Sequence, residues 1–327
     1  LEVHALGGRR LDLLDGLEEV VDAWVVTLVV DQDRLVVLHD PGRDAGLTWL
    51  PGCQVVVGIH AACREGSEHL VGGVDHLDGE IALVTGASRG IGASIAAHLA
   101  AQGATVVGTA TSAAGAQAIQ TSLAKYEGGS GAVLDVNDGA AVQAQIDAIV
   151  ATHGQLTILV NNAGVMDNFE AIADVSNSQW DRIMNVNLRG PFMLMRLLIP
   201  HFLHHKYGNI INISSIGGLQ GGRAGAAYTA SKFALNGLTK NTGYLYAEQG
   251  IRCNAVAPGA VETHISDSID YSKVSKDMNE LLIAGLKLNP RIGKPKEIAE
   301  IVLFLASEDS SMINGEVLVA DAAWTAY

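Results

Sequence analysis

The chain changes character near residue 76. From residue 81 onward, short runs of consecutive apolar residues alternate with longer stretches in which apolar positions recur every three or four residues. Continuous short apolar runs read as strands buried on both faces, whereas the longer spacing reads as helices with one buried stripe. The alternation predicts strands at 81–85, 104–108, 132–135, 156–161, 209–214, 252–257 and 317–320. It predicts helices at 91–101, where Ile91, Ile95 and Leu99 share a face, and at 115–125, 140–152 and 228–247. Strand and helix in repetition imply an α/β fold, a doubly wound parallel sheet with right-handed crossovers and helices on both sides.

Residues 1–75 do not follow this rhythm. They contain no Lys, Asn, Phe, Tyr or Met, and their 13 acidic and 5 basic residues hold −8 of the formal net charge of −14. Apolar stretches at 24–30 and 55–59 could be strands and 11–21 a short helix, with glycine pairs and Pro-Gly steps between them. Cys53, Cys63, His39, His60 and His69 match no zinc spacing. The expected organisation is therefore an N-terminal extension, 1–75, followed by one domain, 76–327.

Composition narrows the function classes. Hydrophobic residues form 48% of the 327 positions and charged residues 17%, enough to bury a sizeable core. A net charge of −14 opposes binding to a phosphate backbone, so no nucleic-acid partner is expected. Three cysteines without paired spacing suggest a reducing compartment. No apolar run approaches a membrane span and no secretory pattern opens the sequence, so no membrane partner and a cytoplasmic location are expected.

The first strand leads into Thr85-Gly86-Ala87-Ser88-Arg89-Gly90-Ile91-Gly92, which opens the first helix. Glycines there allow a tight turn and let a pyrophosphate approach the helix N-terminus, where free N–H groups and the dipole attract an anion. About 20 residues on, the ribose-reading position falls at Gly108-Thr109-Ala110-Thr111-Ser112, which holds no carboxylate. That absence, with Arg89 available to pair with a 2′-phosphate, favours NADP(H) over NAD(H).

Later, Tyr228-x3-Lys232 places two polar side chains on one helix face. Ser215 lies 13 residues earlier, at the end of an apolar strand, and that offset favours it over its neighbour Ser214. Asn187 stands in Asn185-Val186-Asn187-Leu188, and Pro258-Gly259-Ala260-Val261-Glu262-Thr263 ends another strand. With this glycine loop and this order of motifs, the domain from 76 to 327 resembles the short-chain dehydrogenase/reductase family, which has the Rossmann fold.

The resemblance implies an oxidoreductase that interconverts a carbonyl and a secondary alcohol by hydride transfer. Tyr228 would be its general acid/base, Ser215 would bond the substrate oxygen, Lys232 would favour the phenolate, and Asn187 would hold a relaying water. A free phenol is a weak acid at neutral pH, so neighbouring positive charge is needed. The cofactor would lie along Gly86, Ser88, Arg89, Gly90, Ile91, Gly92, Thr111, Asp135, Val136, Asn162, Ala163, Gly164, Tyr228, Lys232, Pro258, Gly259, Val261 and Thr263. No metal is implied.

The glycine loop and 108–112 resemble 3-oxoacyl-[acyl-carrier-protein] reductases. The acidic surface weakens that case, leaving small-molecule ketones, diols and sugars, or an acyl thioester, as substrates. Residues 262–291 would form a lid, with Tyr271, Met278, Leu281, Leu282 and Leu286 for an apolar lining. A homotetramer through the two long central helices is expected by resemblance. A nucleotide-sugar epimerase is disfavoured by the glycine spacing, and a silent NADP-binding regulator by the full Asn187, Ser215, Tyr228, Lys232 set. His201, His204 and His205, between Pro200 and Gly208, read as a helix end, and Trp180 and Trp324 as packing residues. Cys253 reads as a small core residue. Asp321-Ala322-Ala323 departs from the Asp-Gly-Gly often found near the family's end.

Overall fold

The computed structural model describes residues 28–31, 34–37, 77–274 and 276–326. By its contacts the chain divides into two units, Leu1–Gly72 and Gly73–Tyr327. In the first, β1 (Leu28–Asp31) and β2 (Arg34–Val37) form an antiparallel hairpin, pairing Leu28 with Val37. The strand expected at 24–30 overlaps β1; the elements expected at 11–21 and 55–59, and the five Cys and His positions, lie outside the described residues.

The second unit carries seven parallel strands: β3 (Ile81–Val84), β4 (Thr105–Ala110), β5 (Ser130–Val133), β6 (Ile158–Asn161), β7 (Gly208–Ile213), β8 (Ile251–Pro258) and β9 (Val317–Ala320). Their order in the sheet is β5-β4-β3-β6-β7-β8-β9. Successive side chains point to opposite faces, yet both faces are apolar. Ala82 and Val84 enter one core with Ile95, Leu99 and Ile119, and with Val302 and Leu305. Ile81 and Leu83 enter the other with Ile146, Leu194, Leu198 and Phe202. The helices behind these side chains are α1 (Gly90–Ala101), α2 (Ala113–Leu123) and α8 (Pro295–Ala306) on one side, and α3 (Gly139–His153) and α5 (Gly190–His205) on the other. The remaining helices are α4 (Asn177–Met184), α6 (Ala226–Leu245) and α7 (Lys276–Leu286). No helix among the described residues is long and apolar enough to cross a membrane.

Several boundaries differ from the sequence reading for local reasons. Helix α2 begins at Ala113 rather than 115, because the Ser112 hydroxyl caps it by accepting the Gly115 N–H at 3.1 Å. Strand β5 lies two residues earlier than 132–135, since Gly131 fits close against α2 and donates to Gln120 Oε1 at 3.1 Å. Helix α6 starts at Ala226, ahead of Tyr228. Pro200 lies inside α5 rather than at its border. Its ring is solvent-exposed while Leu198, Ile199 and Phe202 around it are buried, so core packing holds the helix through the missing N–H. Cys253 in β8 is fully buried, and that burial pushes its thiol pKa up.

Where strand order reverses, between β3 and β6, two polar side chains join the neighbouring loops. Thr85 Oγ1 accepts the N–H groups of Asn162 and Ala163, both at 3.0 Å, and donates to Val160 O at 3.3 Å. Asn162 Nδ2 donates to Thr85 O at 2.8 Å and Gly86 O at 3.0 Å. Deeper in the sheet, Asn161 donates to Asn212 and Asn212 to Thr239, so these buried amides have partners across β6, β7 and α6.

After β9 the chain turns through Ala322 and Ala323 at φ +54° and +69°, a left-handed conformation unfavourable for alanine. Both alanines are exposed, so the strain is in the backbone alone. Replacing both by glycine relieves roughly 1–2 kcal/mol at each position and returns part of that through the unfolded chain's entropy. The double variant Ala322→Gly/Ala323→Gly is expected to be more stable by about 1 kcal/mol in urea denaturation.

Candidate active site

Strands of a doubly wound sheet place ligands beyond their C-terminal ends, at the switch in strand order. There the structure has a cavity of about 1130 Å³. Its wall includes Gly86, Ser88, Arg89, Gly90, Ile91 and Gly92 from the first loop, Thr111 after β4, and Asp135 and Val136 after β5. Asn162, Ala163 and Gly164 follow from β6, Ser215 from β7, Tyr228 and Lys232 from α6, and Pro258, Gly259, Val261 and Thr263 from β8. Of the catalytic and cofactor-binding residues expected from the sequence, only Asn187 is not on this wall.

The glycine loop has room for backbone only. A Cβ on Gly86 would come 2.9 Å from Ala163 Cα, and one on Gly92 would strike Asn162 Nδ2 and Gly86 O. Gly86 is also held at φ +65°. The N-cap residue of α1, Arg89, makes no side-chain cap bond, so the first-turn N–H groups of α1 are left for an anion. These features fit the pyrophosphate of a dinucleotide. Asp135 Oδ1 is oriented by two bonds from Asn137, backbone N–H at 2.9 Å and Nδ2 at 3.0 Å. Arg89 is engaged across the cavity mouth by Asp267, with NH1 to Oδ2 at 3.1 Å, both side chains being largely exposed.

Opposite the loop, Tyr228 and Lys232 stand one turn apart on α6 and are 5% and 4% exposed. The Ser215 hydroxyl and the Tyr228 ring both lie beside Gly217, and Ser215 Oγ accepts the Gly217 N–H at 3.0 Å. Ser214 is buried, and its hydroxyl has no hydrogen-bond partner. Burial pushes the Tyr228 phenol up to about 12; the Ser215 hydroxyl pulls it down, and the charge of Asp167 raises it further. Lys232 Nζ donates to Ile213 O at 2.8 Å and lies 5.6 Å from the Tyr228 ring centroid. Burial brings its ammonium down to about 8. Desolvation therefore outweighs the lowering of the phenol that sequence reasoning expected from Lys232.

Asn187 sits in a π-helical turn, Asn185–Arg189, between α4 and α5. Its fully buried amide clasps the loop after β6, accepting the Val165 N–H and donating to Val165 O, both at 2.9 Å. The side chain thus braces the loop, and its Nδ2 also donates to Ser231 Oγ at 3.3 Å.

Three residues near the site were not singled out for it. Asp167, buried, accepts N–H groups from Phe169, Gly225 and Tyr228. Trp324, read as a packing residue, is 6% exposed but lines the cavity, and its Nε1 donates to Gly285 O at 3.0 Å. The Arg223 guanidinium lies over that indole, 4.5 Å from the ring. Trp180 packs against the cluster of Ile183, Ala224, Ala227 and Tyr228 and does not line the cavity. His201 accepts the Leu156 N–H at 3.1 Å, and no His, Cys, Asp and Glu group suited to a metal occurs among the described residues. In the segment 262–291 expected to act as a lid, Tyr271 and Leu286 line the cavity and Leu281 is exposed; the side chains of Met278 and Leu282 lie outside the described residues.

Comparison with known proteins agrees with this geometry. A family model described as Enoyl-(Acyl carrier protein) reductase matches residues 86–325. The chain is 39% identical to 3beta-hydroxysteroid dehydrogenase 2 of Eggerthella lenta over 253 residues, covering 77% of this chain and 96% of that one. It is 40% identical to the 3-oxoacyl-[acyl-carrier-protein] reductase FabG of Escherichia coli over 244 residues, 74% of this chain and 96% of that one. The crystal structure of gox2181 superposes with a TM-score of 0.70 at 31% identity, over 77% of this chain and 98% of that chain. A glycine-cradled cleft on a seven-stranded parallel sheet and these extended matches identify the chain as a member of the short-chain dehydrogenase/reductase family of oxidoreductases.

Proposed function

We propose that this oxidoreductase uses NADP(H) to interconvert a carbonyl and a secondary alcohol, with Tyr228 as general acid/base. The observation that carries the reading is the convergence of Ser215, Tyr228 and Lys232 on one cavity wall, with Lys232 one helical turn beyond Tyr228 on α6. In reduction, the Tyr228 hydroxyl gives its proton to the substrate oxygen; in oxidation, the phenolate takes it back. Ser215 donates to the same oxygen and fixes its approach. The nicotinamide, when bound, supplies or accepts the hydride and, oxidised, adds positive charge beside the phenol. A phenol at about 12 is protonated at neutral pH, which suits it to the reductive direction.

NADP(H) is supported by the carboxylate-free end of β4 at Thr111 and by Arg89, whose bond to exposed Asp267 is weak enough to exchange for a 2′-phosphate. Met166, Phe169, Val274, Leu286 and Trp324 line the cavity, and this apolar wall favours a ketone or 3-oxoacyl group over a sugar or diol. Phe192 and Leu203 on α5, and Phe233 and Tyr244 on α6, are exposed and support a homotetramer assembled through these two helices.

Following NADPH oxidation against acetoacetyl thioesters and simple ketones tests the activity. Tyr228→Phe is expected to lower kcat about 10²–10⁴-fold with cofactor affinity retained; a variant as active as wild type removes Tyr228 from the chemistry. Arg89→Ala is expected to weaken NADPH binding about tenfold or more while NADH binding changes little. Equal losses for both cofactors would refute the phosphate assignment.

Burial also predicts an unusual stability profile. The Lys232 ammonium falls from its ordinary 10.5 to about 8 on folding, so the unfolded chain holds that proton more tightly. The penalty on folding is full below pH 8 and fades as pH rises towards 10.5. Lys232→Met should therefore abolish activity yet stabilise the fold near pH 7 by about 1–2 kcal/mol, after loss of the bond to Ile213 O. Thermal unfolding should show that gain shrinking between pH 8 and 10.5.

A further inference from the structure

Helix α6 carries both Tyr228 and Lys232, yet its N-cap residue is Gly225, which has no side chain to satisfy the first turn. The missing acceptors come from the loop after β6. Tyr228 N donates to Asp167 Oδ2 at 2.8 Å, Gly225 N to Asp167 Oδ1 at 3.1 Å, and Ala226 N to Glu170 O at 3.0 Å. Asp167 Oδ1 also accepts the Phe169 N–H at 3.0 Å. The same carboxylate thus spans a loop and the helix start 58 and 61 residues further on.

The fit is close and is maintained against local cost. A Cβ on Gly225 would lie 2.6 Å from Asp167 Oδ2, so the glycine and the aspartate are matched. Phe169, within the loop, is held at φ +56°, in the left-handed region that a side chain disfavours. Asp167 is 1% exposed and takes part in none of the ion pairs among the described residues. Its charge is offset by three backbone N–H groups and by the positive end of α6. The loop is braced in turn, Val165 by Asn187, Met166 N by Ser268 Oγ at 3.0 Å, and Asn168 Oδ1 by the Asp270 N–H at 2.8 Å.

We infer that Asp167 is a positioning residue, which caps α6 from outside and thereby fixes the Tyr228 hydroxyl in reach of Ser215 and the substrate oxygen. The inference rests on the reading of Tyr228 as the acid/base. Asp167 bonds only the backbone of Tyr228, and its charge reaches the phenol at a distance, so its effect belongs to the reacting group and not to substrate recognition. A displacement of about 1 Å at such a group can cost on the order of 10²-fold in rate.

Steady-state kinetics on the full-length protein, with NADPH affinity read by fluorescence, test this. Asp167→Asn keeps the buried volume but turns one acceptor into a donor that faces an N–H group. It is expected to lower kcat about 10–100-fold while KM and the NADPH Kd move less than about threefold. Asp167→Ala should lose at least as much and also vacates the space beside residue 225. Adding Gly225→Ser to it supplies a cap to the Tyr228 N–H from within α6, and the double variant should recover kcat about fivefold or more over Asp167→Ala. Gly225→Ser alone, facing an intact Asp167, should be impaired.

Wild-type kcat in Asp167→Asn, losses confined to KM or Kd, or no recovery in the double variant would each overturn the inference. Should Asp167→Ala not fold, Asp167→Asn and Gly225→Ser alone still decide it. Retention of activity by Tyr228→Phe would instead overturn the reading beneath it, an outcome these arms do not produce.

Discussion

At the reversal of strand order, the Thr85 hydroxyl accepts two backbone N–H groups from the loop after β6 and donates back to Val160, while Asn162 returns two bonds to the glycine loop. The two loops that frame the cavity are thereby fixed to each other before any ligand is considered. Backbone approach at Gly86 and Gly92 is close enough to exclude a Cβ, and it is these side-chain bonds that make so close an approach stable. Everything further along the site, including the clasp of Asn187 on Val165, builds outward from that joint.

The proposed chemistry then depends on a contest between burial and charge. Placing a phenol and an ammonium nearly out of water moves both towards their neutral forms, the phenol up and the ammonium down. Neither group is compensated by a full salt bridge; Lys232 has a backbone carbonyl and Tyr228 a serine. Such a site is poised to respond to charge introduced by a ligand, because a low-dielectric surrounding magnifies each added interaction. It also means that the fold is burdened by these two buried polar groups, as is common where proteins depart from the arrangement that stability alone would favour.

What could be read in the sequence was whatever is written locally. The strand at 317–320 coincides with β9, because four apolar residues in a row have few other solutions. The glycine loop, Tyr228, Lys232 and Ser215 were legible because their spacing along the chain is itself the signal, and the structure brings all of them to one cavity. Asp167 was not legible: its partners are a loop neighbour and two N–H groups about sixty residues away, and a buried aspartate in Val165-Met166-Asp167 looks no different from an exposed one. Trp324 and Arg223 reach the cavity from separate turns for the same reason. The commitment of the Asn187 side chain to a backbone clasp depends on a π-helical turn that no periodicity announces.

Cys253 offers a consequence of a different kind. It lies fully buried in β8, deep in the core that also holds Phe202, Ile210 and Ile251. Its thiol is held in the unreactive protonated form by that burial. An alkylating reagent can therefore modify it only when the sheet itself comes apart, so the rate of labelling at this one sulfur measures how often the central strands open to solvent. The protein thus contains, in its own core, a chemical clock for its global breathing.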